Sequence, residues 1–212
     1  MKSVLVLGNS RGIGLAISES LRNEGLIVLN ISRSSGYDLM TKEGRNKLFN
    51  DVEETDILIG NVGGMGTCSI DDYEEVMRKN YFINVEILLH YLPYMVRKKW
   101  GRVVFISSIF GKEKGDNLAF TAAKAAQIAF IKSIAGKYKG ITFNVICPGY
   151  IDVGKDFKSD SKVVGIPEDV AVLTSFLCNE KTSHINGVLL RAMEDHLIRF
   201  KFKLSNENME LL

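Results

Sequence analysis

Gly8-Asn9-Ser10-Arg11-Gly12-Ile13-Gly14 lies between the apolar block Val4-Leu5-Val6-Leu7 and a segment with apolar residues at Ile13, Ala16, Ile17 and Leu21. The block reads as a buried strand. The segment, residues 13–23, reads as a helix because its apolar positions recur at three- and four-residue steps. A glycine at the strand's end lets the chain turn sharply. Gly12 lets backbone approach a pyrophosphate, and Gly14 lets the helix pack close to the sheet. The first amides of the helix then offer free N–H groups and a partial positive charge to phosphate. This strand–turn–helix context favours nucleotide binding over a plain turning loop.

Outward from the turn, apolar runs and helical patterns keep alternating. Strands are expected at residues 27–31, 56–59, 103–106, 143–146 and 188–190. Helical patterns occupy residues 41–51, 70–99, 121–138 and 167–177, the last opening on Pro167, where a missing N–H costs nothing. Such alternation implies a parallel sheet with helices on both faces, a doubly wound, Rossmann-like α/β fold. Residues 1–190 read as one domain that binds a dinucleotide and carries the chemistry. In the tail, residues 191–212, apolar residues alternate with Arg199, Lys201 and Lys203. That pattern suits a strand with one wet face, covering an oligomer contact or the active site.

The 212 residues are 46% hydrophobic and 25% charged, an ordinary globular composition. The net charge of +2, from 27 basic and 25 acidic residues, argues against capture of nucleic acid or anionic lipid. No apolar run reaches the ~20 residues of a membrane span. The apolar stretch at the start is too short for a secretory signal. Cys68, Cys147 and Cys178 are far apart and form no metal-ligand spacing. Three reduced thiols in a cytoplasmic protein, with no metal, is the expectation.

The glycine spacing Gly-x-x-x-Gly-x-Gly resembles that of the short-chain dehydrogenase/reductase family, and the resemblance runs over residues 2–190. Asn61-Val62-Gly63-Gly64 is similar to the family's Asn-Asn-Ala-Gly segment, where a cofactor's adenosine side passes over a strand end. Asn80 matches the helix asparagine whose backbone helps hold a water beside the active-site lysine. Gly101-Arg102-Val103-Val104-Phe105-Ile106-Ser107-Ser108 resembles the strand that ends in the active serine, by register Ser108. Pro148-Gly149-Tyr150-Ile151 resembles the segment beside the nicotinamide, with Ile151 backbone near the carboxamide. Val153 stands where threonine is usual. The resemblance implies a carbonyl or alcohol substrate, and a homodimer or homotetramer with residues 70–99 and 121–138 at its interface.

An NAD-preferring enzyme places Asp or Glu at the end of the second strand, for the ribose hydroxyls. Here that strand ends Asn30-Ile31-Ser32-Arg33-Ser34. Arg11 and Arg33 instead bring two guanidinium groups toward the position of a 2′-phosphate, which points to NADP(H). Asp38-Leu39 resembles the adenine-contacting pair. The cofactor set is thus Gly8, Ser10, Arg11, Gly12, Ile13, Gly14, Arg33, Asp38, Leu39, Asn61, Val62, Gly63, Lys124, Pro148, Gly149 and Ile151. The catalytic set is Asn80, Ser108, Phe120 and Lys124.

Phe120 is the main departure. The family has Tyr and Lys four apart on one helix face; here the segment reads Phe120-Thr121-Ala122-Ala123-Lys124. Phenylalanine has no O–H with which to exchange a proton, while Lys124 can still bind ribose hydroxyls. The stretch 152–166, which commonly carries a substrate-covering lid, is short and polar. Between the second strand and the next helix there is barely room for a further strand, so one sheet strand is expected to be vestigial. Three readings stand at this point. The first is an NADP(H)-dependent oxidoreductase impaired by Phe120, itself either natural or an engineered Tyr-to-Phe change. The second is a non-catalytic NADP(H)-binding subunit or sensor, and the third a different reaction class such as isomerisation or dehydration.

Overall fold

The computed structural model describes residues 1–66, 72–154 and 164–192. Cys68, the middle of the shortened lid and the alternating tail lie outside them. Six strands form one parallel sheet: β1 (Ser3–Leu7), β2 (Ile27–Ile31), β3 (Ile57–Gly60), β4 (Gly101–Ile106), β5 (Ile141–Pro148) and β6 (Leu189–Ala192). Their spatial order is β2-β1-β3-β4-β5-β6. The helices are α1 (Gly12–Asn23), α2 (Lys42–Asp51), α3 (Tyr73–Met77), α4 (Ile83–Lys98), α5 (Leu118–Ile134) and α6 (Pro167–Cys178).

Side chains alternate across a strand, so each strand feeds two cores. Leu5 and Leu7 of β1 point into one, with Leu58, Phe105, Phe143 and residues of α4 and α5. Val4 and Val6 point into the other, with Ile59, Val104, Ile17 and Leu21 of α1, and Val170 of α6. The sheet is therefore covered on both faces. Each fully buried Leu, Ile or Phe contributes about 1.5–3 kcal/mol relative to exposure, which explains why these strands read as unbroken apolar runs.

The vestigial strand is absent altogether. Residues 32–56 hold only a 3-10 turn at Arg33–Ser35 and helix α2, and β2 is left as the sheet edge. The edge is visible in β2 itself, where Ile27 is 49% exposed although Ile31 is buried. Arg45, buried in α2, donates to Glu86 of α4 and to the carbonyls of Leu39, Met40 and Thr41, closing this corner.

Element ends shift where capping overrules periodicity. The expected helix 121–138 begins at Leu118, because the Asn117 side chain accepts from the Phe120 amide at 3.0 Å. Such a cap is worth about 1 kcal/mol. The expected helix 70–99 is continuous across its described part but carries a π-helical segment, Arg78–Phe82, between α3 and α4. Residue periodicity cannot reveal that extra residue per turn, and π segments recur at functional sites. Strand 56–59 begins one residue later, because the Asp56 carboxylate turns aside to the Ser3 amide.

Candidate functional site

Strand order reverses between β1 and β3: the chain leaves β1 for β2 on one side and returns to β3 on the other. At such a switch point the loops after neighbouring strands diverge and leave a crevice at the carboxyl ends. The glycine turn follows β1, and Asn61–Gly64 follows β3. Ser107 and Ser108 follow β4, and Gly149-Tyr150-Ile151 follows β5. The expected site segments therefore meet on one rim of the sheet.

The turn is held by close packing. A Cβ on Gly14 would lie 2.3 Å from the Gly8 carbonyl oxygen and 2.6 Å from Asn61 Nδ2, so no larger residue fits. Asn61 Nδ2 donates to the Leu7 and Gly8 carbonyls at 3.2 and 3.0 Å, tying the two loops across the switch point. Arg11 precedes α1 with extended backbone, and no side chain caps the helix. The first amides of α1 are therefore left for an external acceptor. Gly12 lies under Val153, whose Cγ1 is 3.3 Å from where a Cβ would sit. The loop after β5 thus reaches back over the turn with an apolar group. These features fit the pyrophosphate of a dinucleotide.

Arg11 and Arg33 are exposed, and among the described residues neither guanidinium has a hydrogen-bond or ion-pair partner. Ser10 is exposed and Ile13 half-buried beside them. Asp38 Oδ1 accepts from the Met40 amide, and Leu39 is buried in the main core with its carbonyl taken by Arg45. Pro148 pairs with Ala192, the Gly149 amide donates to the Ala192 carbonyl, and Ile151 is buried and bridged to Gly165.

Lys124 reaches from α5 to the end of β4, where Nζ donates to the Ile106 carbonyl at 2.8 Å. Its own carbonyl accepts from Ser107 Oγ at 2.9 Å. Burial pushes the Lys124 ammonium down to about 8, countered in part by Cys147 nearby. Burial likewise pushes the Cys147 thiol up, against the pull of Ser107, Ser108, Lys124 and Lys112. Gly63 sits against this group: a Cβ there would be 2.6 Å from Asn80 Oδ1 and 3.3 Å from Lys124 Nζ. The half-buried Ser108 caps the turn Ile109–Gly111, its Oγ accepting from the Phe110 amide at 3.2 Å. Accepting that bond leaves its O–H free to donate. Phe120 lies one helical turn before Lys124, with Nζ 5.4 Å from its ring centroid.

Residues 36–162 match the short chain dehydrogenase family profile, well over half of the chain. The chain belongs to the short chain dehydrogenase family. This is an oxidoreductase family whose members bind a nicotinamide cofactor and act on small molecules. Similar proteins include the 3-oxoacyl-acyl-carrier-protein reductase MabA of Mycobacterium bovis, 30% identical over 89% of this chain and 90% of its own length. FabG of Aquifex aeolicus, of the same description, is 29% identical over 89% of this chain and 94% of its own. The alignment to MabA runs over 222 positions, more than this chain's whole length, so the relative carries stretches missing here. A solved structure assigned as a betaketoacyl-ACP reductase superposes with TM-score 0.80 at 19% identity, over 90% of this chain and 95% of that one. At that identity the likeness speaks for the fold.

Within this short chain dehydrogenase, three side chains that hold the site were missed by sequence reasoning. Asn9 is buried in the glycine turn. Its Nδ2 donates to Ser18 Oγ and the Leu29 carbonyl, and its Oδ1 accepts from the Ile31 amide. Gln127 and Asn84 both donate to the Asn80 carbonyl, at 2.7 and 2.9 Å. Asn80 itself is fully buried in the π-helical segment, where its side chain clamps both the amide and the carbonyl of Gly64. The only signal for Gln127 was a polar residue on the buried stripe Ala123, Gln127, Ile131 of α5. Two lone pairs on the Asn80 carbonyl now have two protein donors. The family resemblance implies a water held by the backbone of this residue.

Proposed function

We propose that this chain binds NADP(H) and transfers hydride between it and a carbonyl or alcohol compound. The observation that carries this reading is a pair of guanidiniums, Arg11 and Arg33, without partners among the described residues, together with an uncapped helix start and no acid at the end of β2. A phosphate would satisfy both arginines and the free amides of α1. In this reading Gly8 through Gly14 cradle the pyrophosphate, and Arg11 and Arg33 take the 2′-phosphate. Asp38 and Leu39 flank the adenine, and Asn61, Val62 and Gly63 line the adenosine side. Lys124 holds the ribose hydroxyls, and backbone at Pro148, Gly149 and Ile151 borders the nicotinamide. The cofactor would supply or accept the hydride. Ser108 donates a hydrogen bond to the substrate oxygen.

Proton transfer is the weak point. Phe120 has nothing to donate, and a positioned general acid is worth about 10²–10⁴-fold. Reduction of simple ketones is therefore slow. Titrating NADPH and NADH by fluorescence tests the cofactor reading. The expected preference for NADPH is about tenfold or more, since charge-assisted hydrogen bonds contribute about 1.5–3 kcal/mol each. Equal affinities, or an NADH preference that Arg33→Ala leaves untouched, would overturn it.

The same reading makes the chain a homodimer or homotetramer. The outer face running from the end of the π-helical segment along α4 supports this, with Phe82, Leu89 and Val96 exposed at 52%, 51% and 40%. Sedimentation measures it, and a monomer at micromolar concentration would count against it.

A further inference from the structure

Among the described residues the wall around position 120 is aromatic, and its one hydroxylated ring is Tyr150. Phe120 is buried against Val76 and Ala119, and Phe110 packs on that cluster. Tyr150 meets Phe110 edge to face, with ring centroids 6.0 Å apart and planes at 85°. Nearby, Leu118 is 74% exposed and Met65 53% exposed. Asn117 ties these together by donating to the Met65 carbonyl at 2.8 Å. A flat conjugated ring suits such a wall, because aromatic faces and edges attract one another beyond simple burial. The polar groups are few. Ser108 can give one hydrogen bond and Lys124 one proton, and no phenol occupies position 120.

Resting on the NADP(H) oxidoreductase reading above, we infer that the acceptor this site takes is a quinone-type compound rather than an isolated ketone or aldehyde. The reason lies in the basicity of the product oxygen. Hydride addition to an isolated ketone makes an alkoxide, about as strong a base as hydroxide. Such a transition state needs an acid already in place. Hydride addition to a quinone makes a phenolate-type anion, and phenols ionise at about 10. The demand on a donor falls by between five and six powers of ten, roughly, in acidity. The quinone gains one hydrogen and two electrons as hydride from the reduced nicotinamide, which is oxidised. The hydride would form an O–H bond at one quinone oxygen, the ring π pairs shift to make the ring aromatic, and the π pair of the far carbonyl moves onto its oxygen. The resulting hydroquinone monoanion then takes one proton from the Lys124 ammonium or from water. Lys124 is suited to this late step, because burial already weakens its hold on the proton. A hydrogen bond from Ser108 suffices for an oxygen that never becomes strongly basic.

The experiment compares 1,4-naphthoquinone with 2-tetralone, which keeps the bicyclic skeleton but has one carbonyl insulated from the benzene ring. NADPH oxidation by the full chain is followed with each, after subtraction of the uncatalysed rate. Naphthoquinone should turn over about a hundredfold faster than tetralone or more, and Phe120→Tyr should narrow that ratio by about tenfold or more. Independently of turnover, calorimetry on the NADP⁺-loaded chain should show naphthoquinone binding that Phe110→Ala weakens about tenfold, through loss of an aromatic pair and its buried area. Comparable rates with tetralone in the native chain would overturn the inference. So would naphthoquinone turnover no faster than the uncatalysed rate in a chain that binds NADPH tightly. Failure to bind NADPH at all would instead remove the underlying oxidoreductase reading, and the inference with it.

Discussion

The rim around β1 and β3 and the rim around β4 and α5 are built from the same kind of parts but have diverged differently. On the first, every constraint survives. Gly14 is too close to Gly8 for any side chain, Asn61 bridges the two loops, and Asn9 is fully bonded beneath the turn. On the second, the frame is equally tight, and position 120 carries no hydroxyl. Lys124 is pinned to β4, Ser108 is in register, and Phe120 fills the intervening position with a hydrocarbon ring. Binding a dinucleotide depends on backbone approach, which a change of one residue in the turn destroys. Proton transfer depends on one hydroxyl, which can be lost without disturbing the fold. A chain can therefore keep the first rim intact and lose one function of the second.

The sharpest break in that comparison is Phe120→Tyr. Restoring the hydroxyl should raise turnover of simple ketones by about 10²–10⁴-fold while changing NADPH affinity little. Steady-state NADPH oxidation, paired with a fluorescence titration, reads both. Fast ketone turnover by the native chain, unimproved by tyrosine, would mean that another group supplies the proton.

Lys124 offers the next largest effect. Its pKa falls from 10.5 to about 8 on folding, so below pH 8 the folded chain carries a buried charge that the unfolded chain holds in water. As pH rises from about 8 towards 10.5, the folded form has lost the proton while the unfolded form still binds it. Stability therefore rises with pH in that window. The native chain should gain up to about 3 kcal/mol relative to Lys124→Met between pH 7 and pH 10.5. Urea unfolding of the two forms measures the difference, and a flat difference would show that the lysine is neutral or well solvated.

On the first rim, Asn9→Ala should destabilise the chain by about 1–3 kcal/mol, because it strands the buried Ile31 amide and the Leu29 carbonyl. Chemical denaturation reads this. A loss under half a kilocalorie would mean that the turn is held by its glycines alone. The smallest expected effect is at the cofactor's edge. Arg33→Ala should weaken NADPH by about tenfold, near 1.4 kcal/mol, and leave NADH unchanged. Equal weakening of both would place Arg33 on a group the two cofactors share.

Much of this was legible in residue order. Alternating apolar runs and helical stripes announced the parallel sheet. The spacing of Gly8, Gly12 and Gly14 announced a tight turn between β1 and α1, and the shortage of residues between 32 and 56 announced a vestigial strand, which proved absent. These are local signals, set by the period of a helix or strand and by chain length. Less legible was everything that depends on which side chains meet. Asn117 moved the start of α5 by three residues, and the π-helical segment at Arg78–Phe82 left no trace in the apolar spacing. Leu39 proved to be a core residue, because α2 folds back over it and Arg45 takes its carbonyl.

From sequence alone came the order of elements, the position of the turn, the absence of an acid at the end of β2, and the phenylalanine in place of a phenol. All follow from residue identity along the chain. Only the tertiary structure could decide that Asn61 bridges β1 and β3, that Gln127 and Asn84 occupy the Asn80 carbonyl, and that Phe110 and Tyr150 extend the wall begun by Phe120. Apart from Asn84, which reaches back four positions along its own helix, and Phe110 against Phe120, ten positions away, those contacts join residues 40 to 53 positions apart. At that range a side chain's partner is set by how helices pack on the twisted sheet, and nothing in the local sequence encodes it.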